Sequence, residues 1–244
     1  MKKWKTKNGY EIYLVSSGRS NVYLISTGKG NILVDTGWKY SYPGLKRNIN
    51  SLGLPQPISL IILTHTHFDH CHNAYILRKQ ENCKILTGEH EAKFTKYGYT
   101  PIPAGTLFIT KLLSGLGSLI GGSWFGYPSF TTDRLIGDYL DLSKDGFDIQ
   151  LISTPGHSRG SVSVIINNEI AIVGDTMLGI FRNSIFTPFA DDPKEMVRSW
   201  EKLLKTECHL FLPGHGKALG RELVRREYEK YSTKYALNTP QSGD

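Results

Sequence analysis

Thr64-His65-Thr66-His67-Phe68-Asp69-His70 follows directly on the apolar run Leu60-Ile61-Ile62-Leu63. Three histidines and a carboxylate crowd within six residues at the end of what reads as a buried strand. Polar groups in such a place cost folding free energy unless they have partners. A divalent metal ion satisfies all four together, because neutral imidazole and carboxylate are the groups that zinc and related ions take. The segment therefore points to a metal centre on the loop leaving a core strand.

Three further candidates lie just past other apolar runs. His157 follows Ile152-Ser153-Thr154-Pro155-Gly156, Asp175 follows Ala171-Ile172-Val173-Gly174, and His215 follows Leu210-Phe211-Leu212-Pro213-Gly214. Each is preceded by a glycine, which allows close backbone approach to a site. Loops at one edge of a rigid sheet are where catalytic groups converge. A lone histidine carries little weight, whereas this set, repeated at strand ends, carries a good deal.

The first half reads as strands Tyr10–Val15, Asn21–Ser26 and Asn31–Asp35, a helix from Pro43 to Leu52, strand Ile58–Leu63, helix Ala74–Lys79, strand Lys84–Thr87 and helix Glu89–Tyr97. The second half repeats the logic with strands Asp148–Ser153, Val162–Ile166 and Ile170–Val173. A helix from Pro193 to about Lys205, strand His209–Leu212 and a charged helix over about 220–236 follow. Two β-rich halves that each end in helices predict two sheets packed face to face with helices outside.

These residues resemble the metallo-β-lactamase superfamily, whose pattern is His-x-His-x-Asp-His followed in order by a His, an Asp and a His. His65, His67, Asp69, His70, His157, Asp175 and His215 match it with no member missing. Leu33-Val34-Asp35-Thr36-Gly37, Thr154-Pro155-Gly156-His157-Ser158, Gly174-Asp175-Thr176 and Pro213-Gly214-His215-Gly216 also fit. The resemblance spans roughly residues 10–220 and implies an α+β fold, a four-layer αββα sandwich with a two-metal site at one edge. It implies that His65, His67 and His157 hold one ion, that Asp69, His70 and His215 hold the other, and that Asp175 bridges them. The implied chemistry is attack on a carbonyl by a hydroxide shared between the metals, with Asp69 also available to move a proton to the leaving group. Zinc is the first choice of ion, and iron and manganese suit the same ligands. Asp35 stands where the family has a buried carboxylate that orients ligands; a plain turn residue is the alternative. Where the family commonly has glycine, this chain has His72, read as either a hydrogen-bond partner or an exposed loop residue. Cys71 reads as a packed thiol, and His90 and His209 as structural.

The chain is expected to form a single domain over 1–244. Its formal net charge of +7 comes from the ends: Lys2, Lys3, Lys5 and Lys7 at one, the basic terminal helix at the other. A nucleic-acid enzyme places basic residues around its cleft, so no nucleic-acid partner is expected. Three scattered cysteines and no apolar stretch after the basic start lead to a cytoplasmic reading. Leu112 to Thr132 is uncharged but holds five glycines and four serines, too broken for a transmembrane helix.

The substrate is expected to be a small molecule with an ester, thioester or lactone carbonyl. Asp175, where dinuclear β-lactamases of this family carry cysteine or serine, argues against that activity, and Leu178 occupies a position that is often tyrosine in acyl-homoserine lactonases. A phosphodiesterase and a non-catalytic metal- or lipid-binding protein are the alternatives. An apolar, glycine-rich insertion at about 100–132 reads either as a lid or wall for an acyl or other hydrophobic part of the substrate, or as a packed hairpin or dimer contact. Oligomeric state is left open.

Overall fold

In the computed structural model of the chain, residues 1–106 and 125–237 are described. The greater part of the insertion at 100–132, including its leucine-rich stretch, lies outside the described residues.

The first sheet contains β1 (Lys3–Lys5), β2 (Glu11–Ser16), β3 (Val22–Ser26), β4 (Asn31–Val34), β5 (Ile58–Leu63), β6 (Lys84–Gly88) and β7 (Arg134–Ile136), adjacent in that order. Pairing is antiparallel from β1 to β4 and parallel from β4 to β7. The second sheet runs β13-β12-β11-β10-β9-β8. Its strands are β8 (Tyr139–Asp141), β9 (Ile149–Ser153), β10 (Val162–Ile166), β11 (Ile170–Gly174), β12 (Leu210–Pro213) and β13 (Leu219–Gly220). It is antiparallel except for β11 beside β12. The helices are α1 (Tyr42–Ser51), α2 (Phe68–Cys71), α3 (Ala74–Glu81), α4 (Ala92–Tyr97), α5 (Pro193–Leu204) and α6 (Arg221–Lys234).

Side chains alternate across a strand, so each central strand feeds two cores. Ile32 and Val34 of β4, with Leu60 and Ile62 of β5, meet Val164 and Ile172 between the sheets. Leu33, Ile61 and Leu63 face the other way, against Leu45 of α1 and Leu77 of α3. Ile165, Ala171 and Val173 similarly pack on Met196, Trp200 and Leu203 of α5 and Val224 of α6. Strands covered on both faces read as continuous apolar runs, which is how β5, β10 and β11 look in the sequence. The result is the expected α+β, four-layer αββα sandwich.

The structure adds four short strands that the sequence reading did not contain: β1, β7, β8 and β13. Each is two or three residues long, and all lie at or next to a sheet edge. Such strands are specified by their neighbours' unpaired backbone groups rather than by a pattern of their own. The basic N-terminus is thus partly an edge strand, where lysines also oppose further pairing. The two sheets are joined at one edge by backbone hydrogen bonds from Val162 N to Thr64 O (2.8 Å) and Asn21 N to Gly214 O (2.7 Å). No helix among the described residues is long and apolar enough to cross a membrane.

Candidate metal centre

The parallel pairs β4/β5 and β11/β12 end at this joined edge, and the seven candidate residues collect there. Phe68–Cys71, expected as loop, makes one helical turn with His67 as its extended N-cap, so Asp69 and His70 are turned toward the cluster. Histidine Nδ1/Nε2 and carboxylate oxygen atoms lie within 4.8 Å of one another in three overlapping groups: His65, His67 and His157; His65, His70 and Asp175; Asp69, His70 and His215. His67 Nδ1 is 2.9 Å from His157 Nε2, and His70 Nε2 is 3.2 Å from His215 Nε2. Asp175 spans the middle, with Oδ2 3.2 Å from His215 Nε2 and 3.6 Å from His157 Nε2, and Oδ1 3.4 Å from His70 Nε2.

Two atoms test whether a metal fits. His65 Nε2 and Asp175 Oδ1 are buried and have no hydrogen-bond partner among the described residues. Buried polar atoms are nearly always satisfied, so two orphans in one cluster point to a partner outside the protein. A cation that accepts nitrogen and oxygen lone pairs is such a partner.

The electrostatics agree. Burial lowers the pKa of His65, and lowers those of His67 and His157 to about 4, which keeps all three neutral and their lone pairs available. Burial acts in the same direction on His70 and His215. For His70 it is outweighed by the Asp175 and Asp35 carboxylates, and for His215 by Asp175, so both are shifted upward. Burial alone would raise Asp175, but His215 and His70 hold it well below the usual carboxylate range. This half of the pocket is arranged around positive charge.

Supporting bonds fix the rings. Asp35 is 1% exposed and accepts from the His70 Nδ1 side (2.8 Å) and from Thr64 N–H (2.8 Å), leaving His70 Nε2 facing the cluster. It is therefore the orienting carboxylate and more than a turn residue, held at φ 61, a conformation aspartate tolerates better than most residues. His157 Nδ1 donates to the Phe189 carbonyl (2.9 Å), which aims its Nε2 inward. Gly214 leaves no room for a side chain: a Cβ there would fall 2.3 Å from Asp175 Oδ1 and 2.6 Å from His70 Cε1. Gly174, at φ 51, would drive a Cβ into Thr64.

Two residues of this region carry no motif in the sequence. Glu91 is 0% exposed and binds both histidine-bearing loops. Its Oε2 accepts from Thr66 N–H (3.1 Å) and the Thr66 hydroxyl, its Oε1 from the Ser158 hydroxyl (2.7 Å) and Gly160 N–H (3.2 Å). The sequence places it in a plain helix, and only the fold reveals its partners. Arg19, in the short connection between β2 and β3, lines the cavity above the cluster. That cavity measures about 380 Å³ and is otherwise walled by His67, Asp69, His157, Asp175, His215, Thr187 and apolar residues. Of the insertion, the described flanking residues Ile102, Pro103 and Phe125 contribute to the wall. His72 is half-buried and belongs to none of the three groups; Cys71 is buried and donates to the Thr66 carbonyl (3.2 Å). His90 is exposed beside Glu89, and His209 is exposed as well.

A two-sheet sandwich with a histidine–aspartate cluster at its joined edge is built for metal-dependent chemistry. A model of the metallo-beta-lactamase superfamily matches residues 16–215. A probable metallo-hydrolase of Methanocaldococcus jannaschii is 29% identical over 191 residues, covering 76% of this chain and 82% of that protein. Among solved structures, a metallo-beta-lactamase of Cronobacter sakazakii with a HARLDQ motif superposes at TM-score 0.67 with 18% identity, covering 97% of this chain and 93% of that one. Another protein, crystallised in a di-iron-bound form, gives TM-score 0.63 at 24% identity over 88% of this chain and 98% of that one. The class is that of metal-dependent hydrolases. The chain belongs to the metallo-beta-lactamase superfamily.

Proposed function

We propose that the protein is a dinuclear metal-dependent hydrolase acting on an ester, thioester or lactone of a small molecule with an apolar part. The observation that carries this reading is the cavity, floored by the histidine–aspartate cluster and walled by Phe68, Ile102, Phe125, Leu178, Ile180 and Phe189. Pockets of this volume, mainly apolar with a few convergent polar groups, are typical of small-molecule sites. In this reading His65, His67 and His157 hold one ion, Asp69, His70 and His215 the second, and Asp175 contributes to both. Zinc is the first candidate and iron the second. Two bound cations supply an acidified water and a Lewis acid for the carbonyl oxygen. The chain's own residues do the rest. Asp35 and the Phe189 carbonyl hold His70 and His157 in orientation, the apolar wall excludes water, and Asp69, at the cavity surface, is placed to take and return a proton. Metal analysis alongside a panel of activated carboxylesters, thioesters and phosphodiesters tests the reading. About two metal equivalents with carbonyl-ester turnover is the expected result. A fully loaded protein that cleaves phosphodiesters alone would overturn it.

A further inference from the structure

Above the histidine–aspartate floor, the described wall of the cavity is apolar apart from Thr187 and one charged side chain. Arg19 is the sole lysine or arginine among the described residues that line it. The guanidinium carbon lies 4.8 Å from the ring centroid of Trp38 and 4.8 Å from that of Phe68, so the group is held between two aromatic faces. Its Nε is 3.9 Å from Asp69 Oδ2, a long contact to a carboxylate that His215 Nε2 also approaches, at 3.7 Å. Among the described residues the two terminal nitrogens of Arg19 have no hydrogen-bond partner, and the side chain stays half-exposed.

An arginine that served only to neutralise Asp69 would be expected to turn its fork toward that carboxylate. Here the edge carrying Nε faces Asp69 and the fork is left over. Stacking between aromatic rings restricts the plane of the guanidinium, so less freedom is lost when the fork engages a ligand. The planar fork fits carboxylate and phosphate with two parallel N–H···O bonds. We propose that Arg19 forms a subsite for an anionic group, carboxylate or phosphate, carried by the substrate a few bonds from the carbonyl that is cleaved. The spacing follows from Arg19 bordering Asp69. The inference rests on the hydrolytic reading of the cavity and narrows its substrate class to amphiphiles, apolar against the wall and anionic at one end.

The test uses the metal-loaded enzyme and two esters of equal length, 4-nitrophenyl pentanoate and the mono-4-nitrophenyl ester of glutarate. In Arg19→Ala the KM for the anionic ester is expected to rise about tenfold more than that for the neutral one, the effect of losing one half-exposed charge-assisted contact. Arg19→Lys, which keeps the charge without the fork, should recover part of that difference. An equal rise for both esters, or a common fall in kcat, would assign Arg19 to holding Asp69 and overturn the subsite. Calorimetric titration with 4-phenylbutyrate, 4-phenylbutyl phosphate and uncharged 4-phenylbutanol keeps the two readings separable. If neither ester is turned over, the hydrolytic reading fails by itself. Anion binding that weakens about tenfold in Arg19→Ala still supports the subsite, with the tighter anion naming its chemistry. Anion binding indifferent to the substitution overturns it.

Discussion

Removing the Glu91 carboxylate should loosen the metal centre from behind. Among the described residues no hydrogen bond joins Glu91 to a candidate ligand side chain. Glu91 accepts from Thr66, which lies between His65 and His67, and from Ser158 and Gly160, which follow His157. In Glu91→Ala four donors lose their acceptor. Two of them have fallbacks: the Thr66 hydroxyl lies 2.8 Å from the Thr100 hydroxyl, and the Ser158 hydroxyl 2.9 Å from that of Ser161. Among the described residues the backbone N–H groups of Thr66 and Gly160 have none. An unsatisfied buried donor costs about 1–3 kcal/mol, so the alanine variant should lose about 2–6 kcal/mol. For a chain of this length each kcal/mol moves Tm by about 2–4 °C, which puts the drop near 10 °C. Glu91→Gln keeps the volume but turns an amide NH2 toward one donor pair, and about half the loss is expected. Calorimetric unfolding measures this part. The second part is metal affinity, measured far below either Tm by competition with a chromogenic zinc chelator. Partners that orient ligands typically matter by 10–100-fold, and a loss within that range is expected for both variants. Parental affinity in a folded but destabilised Glu91→Ala would reduce Glu91 to an ordinary core residue. Unchanged Tm in both variants would refute the clasp altogether.

Other expectations follow from the same geometry. Gly214→Ala puts a methyl group 2.3 Å from Asp175 Oδ1, so metal content should fall while far-ultraviolet circular dichroism stays parental. Chelation should lower Tm, and His67→Ala should retain less metal on elemental analysis than the parent protein, with parental loading counting against the ligand assignment. The chelated protein should also lose stability as pH falls. His67 and His157 bind a proton near 4 when folded but near the ordinary 6.5 when unfolded. Between those values the unfolded chain takes up more protons, so the contribution is intact above 6.5 and is lost progressively down to about 4. One such histidine accounts for as much as about 3 kcal/mol. Unfolding midpoints of the chelated protein at pH 7 and pH 5 check the sign.

The architecture was legible because its information is local. Runs such as Leu60–Leu63 and Ile170–Val173 announce doubly covered strands by composition, and the helices α1, α3 and α5 fall within a residue or two of where the apolar pattern puts them. The seven metal-centre candidates were legible for a different reason. Each lies on the segment that follows a strand, and strand ends are the places a sheet brings together. Short edge strands failed this test. Arg134-Leu135-Ile136 has no alternation of its own and becomes β7 only because β6 presents an unpaired edge.

Glu91 and Arg19 mark the boundary of that legibility. Glu91 sits 25 residues from Thr66 and 67 from Ser158, and nothing near it in the chain differs from an exposed first turn of a helix. Its meaning arises because Gly88 lets the Gly160 backbone approach within 2.0 Å of where a Cβ would stand, which brings the two histidine loops against one carboxylate. Arg19 likewise looks like a turn residue until Trp38, from the segment after β4, and Phe68, from α2, close on it. Ligands that must meet at one ion are constrained in type, so they form a motif. Residues that hold those ligands, or that select what reaches them, are constrained only by their neighbours in space. The candidate ligands of this chain could therefore be read from its histidines and aspartates, whereas the residues proposed to hold them or to select a substrate are recognised only where the fold makes them adjacent.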